Sequence, residues 1–129
     1  MQTFSKQERL SGQKRIDTLF SEGKSYTVFP FRVVWLEYEP DGVFPAQILI
    51  SVSKKKFKRA VDRNLIKRRI REAYRRNKVD FYNFLNQYKI QCAFVLLYNA
   101  DDILSYKEIE GKIILLLQRF QSEYEKSIG

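Results

Sequence analysis

Between Lys54 and Lys78 the chain carries thirteen Lys or Arg residues against two acids, Asp62 and Glu72, a local charge of +11. The whole 129-residue chain carries +9, so everything outside this segment sums to −2. The basicity is a local feature, and a fold for this chain has to present it to something anionic. At about 100° per residue, a helix here sets Arg63, Lys67, Arg71 and Arg75 in an unbroken i,i+4 ladder, with Asn64, Arg68 and Lys78 beside it. The neighbouring stripe, Ile66, Ile70, Ala73 and Tyr74, is the face that anchors such a helix on a core, while Val61 and Leu65 lie on the far flank. Each like-charged i,i+4 pair opposes the helix by a few tenths of a kcal/mol, roughly 1 kcal/mol for three in succession. Glu72 and Asp62 relieve little of this. Solvated helix faces normally alternate sign, so an uncompensated face implies a dense row of anions, and nucleic-acid phosphates fit that description. Asn64, inside the ladder, can donate to a phosphate, a 2′-hydroxyl or a base edge.

Histidine is absent and Cys92 is the only cysteine. Ser-His-Asp and Cys-His nucleophile systems and zinc sites built from His or Cys are thereby excluded, as is an internal disulfide. Cys92, within IQCAFVLLY, reads as core packing. Apolar residues at 44% and aromatics at 15% argue for a packed core, and the length predicts one domain over 1–129 with loose ends at about 1–6 and 126–129. MQTFSKQERL lacks the apolar stretch of a secretion signal, and the longest apolar run, Ala93 to Tyr98, is far below the roughly twenty residues that span a bilayer. A cytoplasmic protein with no membrane partner is expected.

Taken in order, Ser5-Lys6-Gln7-Glu8 has the capping-box pattern, and Ile16, Leu19 and Phe20 predict a short helix over about 12–22 closed by Gly23. YTVFPFRVVWLEYEP predicts a long strand broken or bulged near Pro30, Pro40-Asp41-Gly42 a turn, and AQILISVS the hairpin partner of that strand. After the basic helix, VDFYNFLNQYK predicts a further short helix capped by Asp80, and IQCAFVLLY a strand buried on both faces. Ser105-Tyr106-Lys107-Glu108 is a second capping box, opening a final helix with the stripe Ile109, Ile113, Leu116, Leu117, Phe120 and Tyr124. The acids Asp101, Asp102, Glu108 and Glu110 sit before and within that helix's first turn, where the macrodipole accounts for them without a metal site. From residues alone the chain is an α+β nucleic-acid-binding domain without an active site of its own. No short-turn helix pair or dimerising heptad supports a DNA-binding regulator.

SVSKK followed by AVDRNLIKRRIREAYR resembles the signature of the bacterial ribonuclease P protein component, in which a strand ending in Ser-Lys-Lys leads into a helix marked Arg-Asn-Arg. Leu65 stands in place of the second Arg of that triplet, on a side of the helix away from the basic ladder. The resemblance runs from Arg9-Leu10 to the last helix. It implies a single-domain αβββαβα sandwich, with helices packed on a mixed sheet and a left-handed βαβ crossover. It also implies a role as protein subunit of ribonuclease P, the ribonucleoprotein endonuclease that removes the 5′ leader of precursor tRNA. In that family the RNA subunit is the catalyst and, with the substrate, holds the Mg²⁺ ions, so the implied partners are RNase P RNA and precursor tRNA, with no obligate protein partner and no protein metal site. Residue by residue, the resemblance assigns Arg59, Arg63, Asn64, Lys67, Arg68, Arg71 and Arg75 to the RNA subunit, and Ser53, Lys54, Lys55 and Lys56 to phosphates near the substrate junction. Ile16, Phe20 and Trp35 are assigned to a cleft for the single-stranded leader. Ile16 stands where the family often has Phe. For Phe20 and Trp35 core packing is the competing reading, and one residue of register leaves Val34 and Leu36 as alternatives to Trp35. Tyr98-Asn99 stand where family members commonly place basic residues. A structural RNA-binding protein of ribosomal type shares the basic helix and the fold class but needs no exposed aromatic cleft.

Overall fold

A computed structural model describes Phe4 and residues 8–37 and 44–128. Helix α1 (Gln13–Glu22) leads into strands β1 (Lys24–Val28) and β2 (Phe31–Glu37), then β3 (Ala46–Val52), helix α2 (Ala60–Gln87), strand β4 (Cys92–Tyr98) and helix α3 (Tyr106–Ile128). The order is αβββαβα. The sheet is mixed and runs β1-β2-β4-β3, with β1 and β4 antiparallel to β2 and β3 parallel to β4 across the α2 crossover.

Of the local expectations, the break near Pro30 is present, and two others change. The segment around Pro30 is a complete break: Phe29 and Pro30 form a two-residue connection, and β1 folds back on β2 with Val28 opposite Phe31. Pro30 has no N–H to give a ladder, which suits it to a turn and not to a continuous strand. β3 is no hairpin partner of β2, because β4 lies between them. β4 is apolar on both faces and takes the position with a neighbour on each edge and a layer on each side. The expected Pro40-Asp41-Gly42 turn lies outside the described residues. Finally, the two helices expected on either side of Val79 are one of 28 residues, in which Asp80 is an exposed interior position and not a cap. Neither Gly nor Pro interrupts this stretch, and Tyr74, Phe81 and Leu85 continue its buried stripe.

Strand alternation sorts side chains into two cores. Phe31, Val33 and Trp35 of β2 and Phe94, Leu96 and Tyr98 of β4 face α2 and α3, where Ile66, Ile70, Ala73 and Tyr74 are all buried, as the helical stripe requires. Val34, Ala93 and Val95 face the other way and meet Leu10 and Leu19, with Ile16, Leu36, Leu49 and Leu97 only partly buried around them. Among the described residues, that second face is covered only by α1 and Leu10.

Gly23 ends α1 as expected, its N–H donating to the Leu19 carbonyl at 2.8 Å. A Cβ on Gly23 would collide with the carbonyl oxygens of both Leu19 and Trp35. Gly23→Ala is therefore expected to lower stability by about 1–3 kcal/mol through the forced backbone shift, read as a lower denaturation midpoint with an unchanged denaturant slope. Of the N-terminal capping box, Ser5 to Gln7 lie outside the described residues, and Gly12, which has no side chain to cap with, stands at the N-terminus of α1.

Candidate nucleic-acid interface

The lysine cluster sits on a turn that Ser53 builds. Its Oγ accepts the backbone N–H groups of Lys55 (3.2 Å) and Lys56 (3.3 Å), and its carbonyl accepts that of Phe57 (3.0 Å), whose ring is buried near Tyr98. The Ser53 hydroxyl proton stays available for a ligand, but its first role is to shape the turn. Lys54 and Lys55 project into solvent. Lys56 turns back, donating to the Asn99 carbonyl at 2.8 Å and pairing with Asp101 at 3.1 Å, so it ties the turn to the end of β4.

On α2 the cations divide into those available to a partner and those used within the fold. Asn64 and Arg68 are exposed, and Lys67 and Arg71 are half-buried in a concavity of about 360 Å³ shared with Phe4, Arg9, Ser11, Leu49 and Ile50. Burial, then the neighbouring Arg9 guanidinium, lowers the pKa of Arg71 from its ordinary value, although an arginine remains charged at neutral pH. Two like charges held together in a partly buried hollow are stabilised by an anion between them. Arg63, by contrast, donates to the carbonyls of Phe57 (2.8 Å) and Lys58 (2.9 Å) and stitches the turn to the helix. Arg75 makes a two-pronged contact with Glu72 (3.0 and 2.5 Å). That hydrogen bond is the largest cause of the lowered pKa of Glu72. Arg59, at the helix N-cap position, is exposed and lies 3.9 Å from Asp62, too far for a strong pair.

Lys78 does not join the basic face. It is buried against Glu8, which also accepts from the Tyr82 hydroxyl at 2.5 Å, and Tyr82 in turn receives the Tyr74 hydroxyl at 3.2 Å. This network holds the N-terminal segment on α2, while the N–H of Leu10 donates to Ile48 on the free edge of β3 at 3.0 Å. Arg9 is thereby delivered to Lys67 and Arg71. Charge counting around the helix missed it, although it opens the Arg-Leu pair where the family resemblance begins.

The open sheet face adjoins this hollow through Leu10, which lines both it and a second, apolar cavity of about 240 Å³ bounded by Lys14, Arg15, Thr18, Leu19, Leu36 and Ala93. Arg15 donates to Gln47 at 3.0 Å. Of the expected cleft residues, Phe20 is 48% exposed and Ile16 is partly buried against the sheet. Trp35 is elsewhere. It is 3% exposed and meets Phe120 edge-on at a centroid distance of 4.9 Å on the opposite face, because it shares the parity of Phe31 and Val33. Leu36, one of the register alternatives, faces the cavity in its place.

The acids around the last helix have separate tasks. Ser105 and Glu108 form the expected capping box (Glu108 N–H to Ser105 Oγ 3.2 Å, Ser105 N–H to Glu108 Oε1 3.4 Å), and Glu110 accepts from Asn77 at 3.0 Å and Tyr106 at 3.1 Å. Among the described residues no three Cys, Asp or Glu side chains are grouped to hold a metal ion, and no helix is long and apolar enough to cross a membrane.

The geometry defines a single-sheet α+β protein that gathers uncompensated cations on one helix and one strand end, beside a partly apolar open sheet face. The family model described as Ribonuclease P matches residues 4–121, and the chain belongs to that tRNA-processing family. The ribonuclease P protein component of Porphyromonas gingivalis W83 is 39% identical over 106 residues, covering 82% of this chain and 77% of that one. That of Petrotoga mobilis is 33% identical over 124 residues, covering 94% and 98%. The solved RNase P protein from Thermotoga maritima superposes with a TM-score of 0.66 at 26% identity, covering 87% of this chain and 96% of that one.

Proposed function

We propose that this chain binds the catalytic RNA of ribonuclease P through the exposed side of α2 and receives the 5′ leader of precursor tRNA on the open sheet face. Removal of the leader to give the mature tRNA 5′ end is then the work of the ribonucleoprotein, with chemistry and Mg²⁺ assigned to the RNA and substrate. The observation that carries the reading is the continuity of the surface. Arg9, Lys67 and Arg71 line a hollow that meets, at Leu10, a sheet face whose floor is apolar, and the exposed Lys54, Lys55 and Arg68 stand on the turn after β3 and on α2. A polyanion with unpaired bases matches both parts, since phosphates meet the cations and bases meet the apolar floor without regard to sequence. Phe20 on α1 offers an exposed ring for stacking. The same reading places the protein in the cytoplasm, with RNase P RNA and precursor tRNA as its partners.

The test is cleavage of a 5′-labelled precursor tRNA at low Mg²⁺, with bacterial RNase P RNA in the presence and absence of this protein. Strong stimulation with product at the mature 5′ end, and none from protein alone, is the expected result. Tight RNA binding without stimulation returns the protein to a purely structural RNA-binding role.

A further inference from the structure

We propose that Arg32 is a positioning residue for the substrate strand, supplying a phosphate contact on the sheet floor that neither the basic helix nor the lysine turn provides. This rests on the reading of the open face as the path of the 5′ leader. Arg32 lies on β2 between Phe31 and Val33, both fully buried toward α2 and α3, so its own side chain stands on the opposite, open face. It is exposed there. Its cross-strand partners are Thr27 of β1 and Leu97 of β4, and Leu97 is in turn opposite Ser51 of β3. The row Thr27, Arg32, Leu97, Ser51 is therefore the last full row of that face before the turn carrying Lys54 and Lys55. With two strand spacings between them, Arg32 and Ser51 are separated by roughly 10 Å across the sheet.

A purely structural reading predicts a partner for this side chain. Among the described residues no carboxylate lies within ion-pair distance of Arg32, and its neighbours in the row carry no charge. Leu97 beside it is only partly buried. A fixed cation next to a half-covered leucine, in line with the lysine turn, suits one nucleotide of a single strand, its phosphate on the guanidinium and its sugar or base on the leucine. The site is independent of base identity, as a leader that differs between tRNAs requires.

The test uses holoenzyme assembled from bacterial RNase P RNA and this chain, with two precursor tRNAs of one tRNA body, one bearing a leader long enough to cross the sheet and one bearing a single nucleotide. For Arg32→Gln the ratio of kcat/KM for the long over the short leader is expected to fall about tenfold, with the loss in KM, and Arg32→Lys is expected to restore most of it. A general structural defect lowers both substrates equally and is visible in thermal unfolding; that result, or an unchanged ratio, overturns the assignment. If wild-type holoenzyme itself shows no preference for the long leader, the leader path is wrong and the role of Arg32 falls with it.

Discussion

Replacing Lys67, Arg68 and Arg71 together by alanine is expected to weaken binding of RNase P RNA by on the order of 100-fold at physiological salt, and to reduce the slope of log K against log[salt] by roughly 2 to 3. These three are chosen because the structure leaves them available. Arg68 is exposed, and Lys67 and Arg71 line the hollow with Arg9. Arg63 and Arg75 look equivalent on a helical wheel but are poor choices, since Arg63 holds the carbonyls of Phe57 and Lys58 and Arg75 is committed to Glu72. Removing them mixes a change in fold with a change in charge. The triple variant also carries a sign test. Lys67 and Arg71 are a like-charged i,i+4 pair, so their loss is expected to leave stability unchanged or to raise it by a few tenths of a kcal/mol. Affinity falls while stability holds. An unchanged salt slope, measured by filter binding over a range of monovalent salt, removes α2 from the RNA interface.

What could be read in advance followed the range of the forces concerned. The buried stripe of α2, the capping box at Ser105 and the closure of α1 at Gly23 depend on residues within a few positions of one another, and all three are present. The strand neighbours of β2 depend on a competition among segments far apart in sequence, and alternation within AQILISVS cannot say which partner wins. The side of the sheet that Trp35 faces depends on where β2 begins, because a shift of one residue exchanges the faces. A two-residue turn at Phe29-Pro30 set that register and sent Trp35 into the core. The charge ladder was legible as a pattern but not as a site: Arg63 and Lys78 take partners outside the helix, in the Phe57-Lys58 turn and at Glu8, and Arg75 takes the local acid Glu72, three residues back. Glu8 is the clearest case, seventy positions from Lys78 and the acceptor at its buried ammonium.

That pair is the basis of the second large effect. Glu8→Ala is expected to destabilise the protein by about 3–5 kcal/mol, a fall in thermal midpoint of roughly 10–20 °C. Glu8 is fully buried and Lys78 is 6% exposed, so their mutual attraction offsets the desolvation of both charges, with the Tyr82 and Tyr74 hydroxyls extending the network. Removing the carboxylate takes away the ammonium's compensation and the acceptor of the Tyr82 hydroxyl in one step. Desolvation costs both charges so much that the pair itself contributes little net stability, which yields the opposite expectation for a double replacement. Glu8→Leu with Lys78→Met is expected to recover most of the loss, because two apolar side chains fill the volume without a charge to desolvate. The functional consequence separates stability from placement. The network fixes the N-terminal segment beside α2, and Arg9 follows Glu8 directly, so Glu8→Ala is expected to weaken RNA binding even well below its unfolding temperature, and Arg9→Ala is expected to weaken it without a loss of stability. If the apolar double variant restores the melting temperature and RNA affinity together, the pair's role is to hold Arg9 in place. If it restores stability alone, then the exact geometry of the charged network, and not merely the docking of the segment, positions Arg9 for the RNA.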